Sequence, residues 1–292
     1  MRKLLFLSLI SILITGCQYS KSVKKDLISG LVTTGDGLSC ENIYLSLNNE
    51  RSEKNTFTYG EKLEIVFNDI KGFRLTDNHA FPDMSIAVTS QSGDTVFHAR
   101  DLYSKFTEGV SLTPLKLTGT ITLANPIHSG AEYQLSVLIR DKRGTGMLSS
   151  RMKFSLKKDE RIKIDPEGTS CREIYFFSSS REAVITNGKI NYNDEVYLIA
   201  EGISGFKEEN GMVFPGLSLI GNDSSGIKIL NYSDLYGDYS NKGLSSGEFG
   251  KRVAVHFKIT GSGLKNPFHT ELVVWDKKSS ARLKATADLE VE

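Results

Sequence analysis

Three cysteines, one tryptophan and six prolines are few for 292 residues, and charge of either sign is not in excess: 36 basic residues stand against 35 acidic ones, a net +1. The balanced charge excludes a broad electrostatic footprint for nucleic acid and a solvating acidic tail. No His-Glu-x-x-His helix, Cys-x-x-Cys pair or dense His/Cys cluster occurs. The five histidines, His79, His98, His128, His256 and His269, are scattered, so a zinc site has no support. Gly35-Asp36-Gly37 and Gly261-Ser262-Gly263 lack a βαβ setting and do not read as phosphate loops. No nucleophile elbow of a Ser-His-Asp hydrolase is expected. These absences point away from catalysis and from a bound cofactor.

What is present is 26 glycines, 15 Phe and 11 Tyr, a composition that favours short strands and turns over long helices. At the N-terminus, Arg2 and Lys3 precede an almost continuous apolar run from Leu4 to Ile14, then Ile14-Thr15-Gly16-Cys17. The run is too short to span a bilayer and reads as a secretory signal. Small residues before a cysteine resemble the lipobox of bacterial lipoproteins. The resemblance covers residues 1–17 and implies that Cys17 is lipidated and becomes the first mature residue, leaving 34 basic and 35 acidic residues. An ordinary cleaved signal that happens to contain Cys17 is the plainer alternative. Acyl chains at about 0.8 kcal/mol per buried methylene would make the attachment effectively permanent. In Gram-negative sorting an Asp after the cysteine retains a lipoprotein at the inner membrane. Gln18 stands there, which implies a cell-envelope protein held at the outer membrane, if the organism has one.

The chain repeats itself. Ser39-Cys40-Glu41-Asn42-Ile43-Tyr44 is echoed 131 positions later by Ser170-Cys171-Arg172-Glu173-Ile174-Tyr175. Residues 59–103 align without a gap on 192–236 with twelve identities in 45 positions. Among these are Gly72-Phe73 with Gly205-Phe206, Phe81-Pro82 with Phe214-Pro215, and Asp101-Leu102-Tyr103 with Asp234-Leu235-Tyr236. Asn125-Pro126 and Asp141-Lys142 recur as Asn266-Pro267 and Asp276-Lys277. The division that follows is a signal peptide over 1–16, a lipidated tether over 17–26, a first domain over 27–157 and a second over 158–292.

Within each copy apolar residues alternate: Tyr133, Leu135, Val137 and Ile139 in the first, Val253, Val255, Phe257 and Ile259 in the second. Turn signals such as Ser92-Gly93-Asp94 and Ser224-Ser225-Gly226 separate such runs. The expected fold is all-β, two tandem homologous antiparallel β-sandwiches that resemble immunoglobulin-like domains, without the Cys…Trp…Cys pattern of true members. The repeated Gly, aromatic and Asp positions read as architecture.

With Cys17 lipidated, Cys40 and Cys171 are the remaining thiols, at equivalent places in the two copies. Two readings stand open: a disulfide between the domains in an oxidising envelope, or two inherited core thiols. Asn222, Asp223, Asp234, Asp238 and Asn241 supply oxygens that could contribute to a calcium site, against the plain reading of loop residues. The expected role is a lipid-anchored, non-catalytic binding or scaffold protein, attached to the membrane and recognising a protein or glycan partner. Loops 207–213 and 221–226 and the stretch 236–248 are the places to look. The alternatives are an accessory lipoprotein of a polysaccharide uptake system, which requires an exposed coplanar aromatic strip, and an enzyme with an unrecognised site, which requires a deep polar pocket.

Overall fold

The computed structural model describes residues 21–25, 29–111 and 113–292. The signal-like segment and Cys17 lie outside them. The first half contains β1 (Lys21–Lys25), β2 (Val32–Asp36), β3 (Ser39–Leu47), β4 (Glu50–Ser52), β5 (Thr56–Thr58), β6 (Lys62–Lys71), β7 (Pro82–Ser90), β8 (Thr95–Ala99), β9 (Leu117–Thr122), β10 (Ala131–Asp141) and β11 (Met147–Lys157). One sheet has the order β1-β2-β11-β10-β7-β8, with β5 beside β11 in parallel, and the other β4-β3-β6-β9. Alternation puts Leu135, Val137 and Ile139 of β10 on the inner face, where they join Leu63, Ile65 and Phe67 of β6 in one buried cluster. Each such side chain contributes roughly 1.5–3 kcal/mol by leaving water.

The second half contains β12 (Lys163–Glu167), β13 (Glu173–Ser178), β14 (Ala183–Val184), β15 (Lys189–Ile190), β16 (Glu195–Glu201), β17 (Met212–Val213), β18 (Pro215–Asn222), β19 (Lys228–Tyr232), β20 (Leu244–Ser245), β21 (Arg252–Lys258), β22 (Phe268–Asp276) and β23 (Arg282–Val291), with α1 (Ser246–Lys251) before β21. Its sheets run β12-β23-β22-β18-β19, with β15 parallel to β23, and β14-β13-β16-β21. Apart from β1, which has no counterpart in the second half, and the β17–β20 pair and α1, which have none in the first, this is the topology of the first half. It is the order of an immunoglobulin-like sandwich, one sheet of β13, β16 and β21 against another of β23, β22, β18 and β19. A second cluster, from Ile162 to Val291, fills it. No strand of residues 21–157 pairs with one of 163–291 among the described residues.

The repeated residues hold corresponding joints. Gly72 and Gly205 have φ of 99° and 95°. A Cβ there would stand 2.1 Å from the Gly37 carbonyl oxygen and 2.4 Å from that of Gly168. The buried Asp141 accepts the N–H groups of Arg74 and Arg143, and Asp276 accepts those of Lys207 and Lys278. Asp101 pairs with Lys142 at 2.7 Å and Asp234 with Lys277 at 2.8 Å. Arg143 lies over the Phe81 ring and Lys278 over that of Phe214, both at 4.7 Å.

One expectation is corrected at the N-terminal end. Residues 21–25, assigned above to a tether, form β1 and pair antiparallel with β2 from Lys21↔Asp36 to Lys25↔Val32. Lys-Ser-Val-Lys-Lys carries one apolar residue, so no alternation betrays the strand, and its register comes from backbone hydrogen bonds.

Candidate functional site

The junction between the halves is built on a strand that is apolar on both faces. In β13, Ile174 and Phe176 point into the second core, while Tyr175, with Ile199 of β16, joins the cluster of the first half. Phe177, Val184 and Tyr197 pack against that same cluster. From the first half, the Tyr59 ring sits 5.1 Å from the Tyr175 ring. Gly60, at φ 91°, comes so close that a Cβ would stand 2.3 Å from a Val184 methyl. Glu173, 1 % exposed, accepts the Ser129 N–H at 2.7 Å and its hydroxyl at 2.8 Å. His128 Nδ1, buried without a hydrogen-bond partner, stands 3.7 Å from the same carboxylate. The Tyr175 hydroxyl donates to Glu201 at 2.8 Å; burial first, then the Glu201 carboxylate, push its pKa upward.

Sequence reasoning missed this junction, although a signal was present. Ile174-Tyr175-Phe176-Phe177 is apolar or aromatic throughout, where Ile43-Tyr44-Leu45-Ser46 ends on a serine. A strand apolar on both sides has both sides covered. In the first half the corresponding outward positions are Ser46 and Glu64 where the second has Phe177 and Tyr197.

The three loop segments singled out above part company. Residues 207–213 and 236–248 meet, because β17 pairs with β20 from Met212↔Ser245 to Val213↔Leu244. Residues 221–226 form the turn between β18 and β19, at the other end of those strands. Around the joined loops, Phe206 and Phe249 contact at 4.8 Å, Tyr236 and Tyr239 meet edge to face at 5.9 Å, and Lys242 covers the Tyr239 ring at 4.6 Å. A concavity of about 260 Å³, lined by Ile203, Phe206, Glu208, Val213 and Phe249 among others, opens beside them.

The exposed large apolar side chains of the described residues are Val23, Leu75, Phe106, Met147, Ile227, Ile229, Tyr232 and Leu235. Four of the eight fall between 227 and 235, on or beside β19, which is the free edge of its sheet. An exposed apolar edge strand offers both unpaired backbone groups and side-chain contact area. Among the described residues the exposed aromatics are Phe106 and Tyr232, one in each half.

Cys40 and Cys171 are free and buried, one in each core cluster, so the inter-domain bridge left open above is not formed. Burial pushes both thiols up, Cys171 to about 11, against the lowering effect of Lys158. The proposed calcium oxygens are not assembled into a site. Asp223 turns inward on its own loop, accepting the N–H groups of Ser225 and Ile227 and the Ser225 hydroxyl. Asp234 accepts the N–H groups of Leu217 and Tyr236 and pairs with Lys277. Asp238 lies in the single 3-10 turn Gly237–Tyr239, Asn241 is exposed after it, and Asn222 ends β18. No group of three or more His, Cys, Asp or Glu side chains suited to a metal ion occurs among the described residues.

The spacing Gly-x-Ser-x-Gly is nonetheless present, at Gly243-Leu244-Ser245-Ser246-Gly247, contrary to the expectation from sequence. Ser245 has φ −55°, whereas a nucleophile elbow is strained, and the histidine nitrogens with hydrogen bonds face Asp77 and Asp288 instead.

No family model matches the chain, and no curated protein matches it. Among solved structures it is similar to pT26-6p (TM-score 0.27, 8 % identity), over 93 % of this chain and 65 % of that one. It is also similar to a DUF3823 family protein from Bacteroides ovatus (TM-score 0.23, 11 % identity; 76 % and 93 % covered). A third is the C-terminal domain of the Streptococcus agalactiae AgI/II polypeptide BspA (TM-score 0.26, 10 % identity; 85 % and 100 % covered). The chain thus spans 65 % of the length of pT26-6p. At these values no partner or activity carries over.

Proposed function

We propose that the protein is a non-catalytic binding or scaffold protein of the cell envelope, anchored through lipidated Cys17 and recognising a protein partner with the edge of its second half. The observation that carries this reading is the run of exposed apolar side chains Ile227, Ile229, Tyr232 and Leu235, at 60, 39, 41 and 42 % exposure, on or beside free edge strand β19. The strand offers main-chain hydrogen bonds for an added strand, and the ordered 207–213 and 236–248 loops flank its end. The buried junction holds the two halves together behind this surface, which suits presentation of one rigid edge.

The test places a photo-crosslinking amino acid at Tyr232 or, as a control, at Tyr44 on the polar outer face of the first half, in the lipidated protein within intact envelopes. A discrete adduct from position 232, absent from 44 and lost with Ile229→Glu, is the expected result. Equal adducts from both positions overturn the proposed surface. Palmitate-analogue labelling that survives Cys17→Ser overturns the anchor.

A further inference from the structure

Four Cα–Cα steps separate Cys17 from the first residue of β1, at most about 13–14 Å of extended chain. If Cys17 carries the acyl chains at the edge of the hydrocarbon, that length reaches only about 5–9 Å beyond a headgroup layer of roughly 5–8 Å. Strand β1 is then held against the lipid surface, and the sheet that contains it must present one of its faces or edges there.

The strand registers show what the outer face of that sheet carries. Val23 stands opposite Thr34, which faces Ser149 and then Leu138 in successive strands. Lys25 leads to Val32, Arg151 and Ser136 in the same way, and Asp36 leads to Met147 and Arg140. Small residues keep this face flat, while Val23 (70 % exposed) and Met147 (42 %) project from it around a shallow hollow of about 330 Å³ shared with Leu138. Of its charges, Arg140 is paired with Asp83 at 3.5 Å, which leaves Lys25, Arg151 and Lys153 against Asp36, with Glu132 at the far end. On the equivalent face of the second half, Lys284 pairs with Glu271 and Arg282 with Glu167, His269 stands 2.8 Å from Asp288, and Lys163 shares its strand face with Asp165 and Glu167. One fold thus carries two different outer faces, and the one bearing spare cations and exposed apolar side chains is the one tied to Cys17.

We propose that the outer face of β1, β2, β11 and β10 lies on the phospholipid leaflet that holds the anchor, with Val23 and Met147 at headgroup depth and Lys25, Arg151 and Lys153 against lipid phosphates. This rests on the reading of Cys17 as lipidated. The acyl chains supply the affinity; the face fixes the orientation, since basic residues are drawn to an anionic lipid surface.

The test uses the full lipidated chain in vesicles of phosphatidylcholine and phosphatidylglycerol. An environment-sensitive fluorophore is attached at Met147→Cys, Lys153→Cys or, on the equivalent face of the second half, Asp288→Cys. Quenching by headgroup-level nitroxide lipid at least threefold stronger at 147 and 153 than at 288 is expected, and Arg151→Glu with Lys25→Glu should reduce it at 147 without releasing the protein from the vesicles. Equal quenching at all three positions in floating protein overturns the docking face and leaves the anchor standing. A wild-type chain that does not float overturns both. Shielding of position 147 in the unlipidated Cys17→Ser protein, without vesicles, overturns the proposal in favour of a second copy or the chain's own cover.

Discussion

Ser129, in the turn that leads into β10, gives both its backbone N–H and its hydroxyl to the carboxylate of Glu173 at the start of β13. The acceptor lies in the other half of the chain and is 1 % exposed. A buried carboxylate holding two hydrogen bonds is stable only while both donors stay in place. The contact therefore ties the orientation of the two sandwiches to one side chain, with Tyr59 on Tyr175 and Gly60 on Val184 providing the apolar part.

Replacing Glu173 with Ala should lower the stability of the junction by about 1.5–3 kcal/mol, the range for hydrogen bonds to a charged group. Gly60→Val should act in the same direction by driving side-chain atoms into Val184. Calorimetry is expected to resolve one cooperative transition into two, with the radius of gyration from solution scattering rising. A single unchanged transition in both variants would contradict this role.

Gly72 and Gly205 provide a matched pair. Each combines a left-handed φ with a Cβ position too close to a carbonyl oxygen, that of Gly37 or Gly168, and neither obstacle can move without shifting the backbone of a strand end. Gly72→Ala and Gly205→Ala should each cost on the order of 2 kcal/mol or more. Hydrogen exchange should locate the loss in the first half for one variant and in the second half for the other. Loss spread evenly over both halves in either variant would contradict the assignment.

The repeat was legible because its residues bear on backbone geometry: a glycine that only glycine can replace, and an aspartate that gathers two N–H groups. Alternation likewise marked β10, β11, β21 and β22. Two features escaped. Strand β1 escaped because Lys21–Lys25 has no second apolar residue to show a period. The Glu173 junction escaped because a lone Glu beside an apolar run resembles a strand-end charge until Ser129, 44 positions earlier, is brought beside it. The calcium reading failed because counting oxygens along a loop says nothing about their direction. Asp223 and Asp234 are turned toward their own N–H groups and Lys277.

Acid should destabilise the second half in particular. At Asp194, burial alone would raise the pKa, but hydrogen bonds from Ser178 and the Arg181 guanidinium outweigh it and hold the group below its usual 3.8. Asp234 behaves alike, with burial opposed by Lys277 and the N–H groups of Leu217 and Tyr236. A lowered carboxylate pKa stabilises the fold above the unfolded value and ceases to do so as pH falls through the folded one. The melting temperature should therefore be flat from neutrality down to about pH 5 and fall below about pH 4. Asp194→Asn should lower it at pH 7 and flatten the acid fall, and a parallel curve for this variant would refute the linkage.

The two thiols provide the last test. Each lies in a separate core, and Cys171 Sγ donates to the Glu173 carbonyl at 2.9 Å, so neither is presented to the other or to solvent. A thiol held largely protonated by burial is a poor nucleophile. The folded mature chain should react with a thiol reagent only at the rate of unfolding, whereas the denatured chain should titrate two thiols without reductant. Cys40→Ala and Cys171→Ala should each leave one thiol. A denatured wild-type chain that titrates none before reduction and two afterwards would establish the bridge that the separate cores argue against.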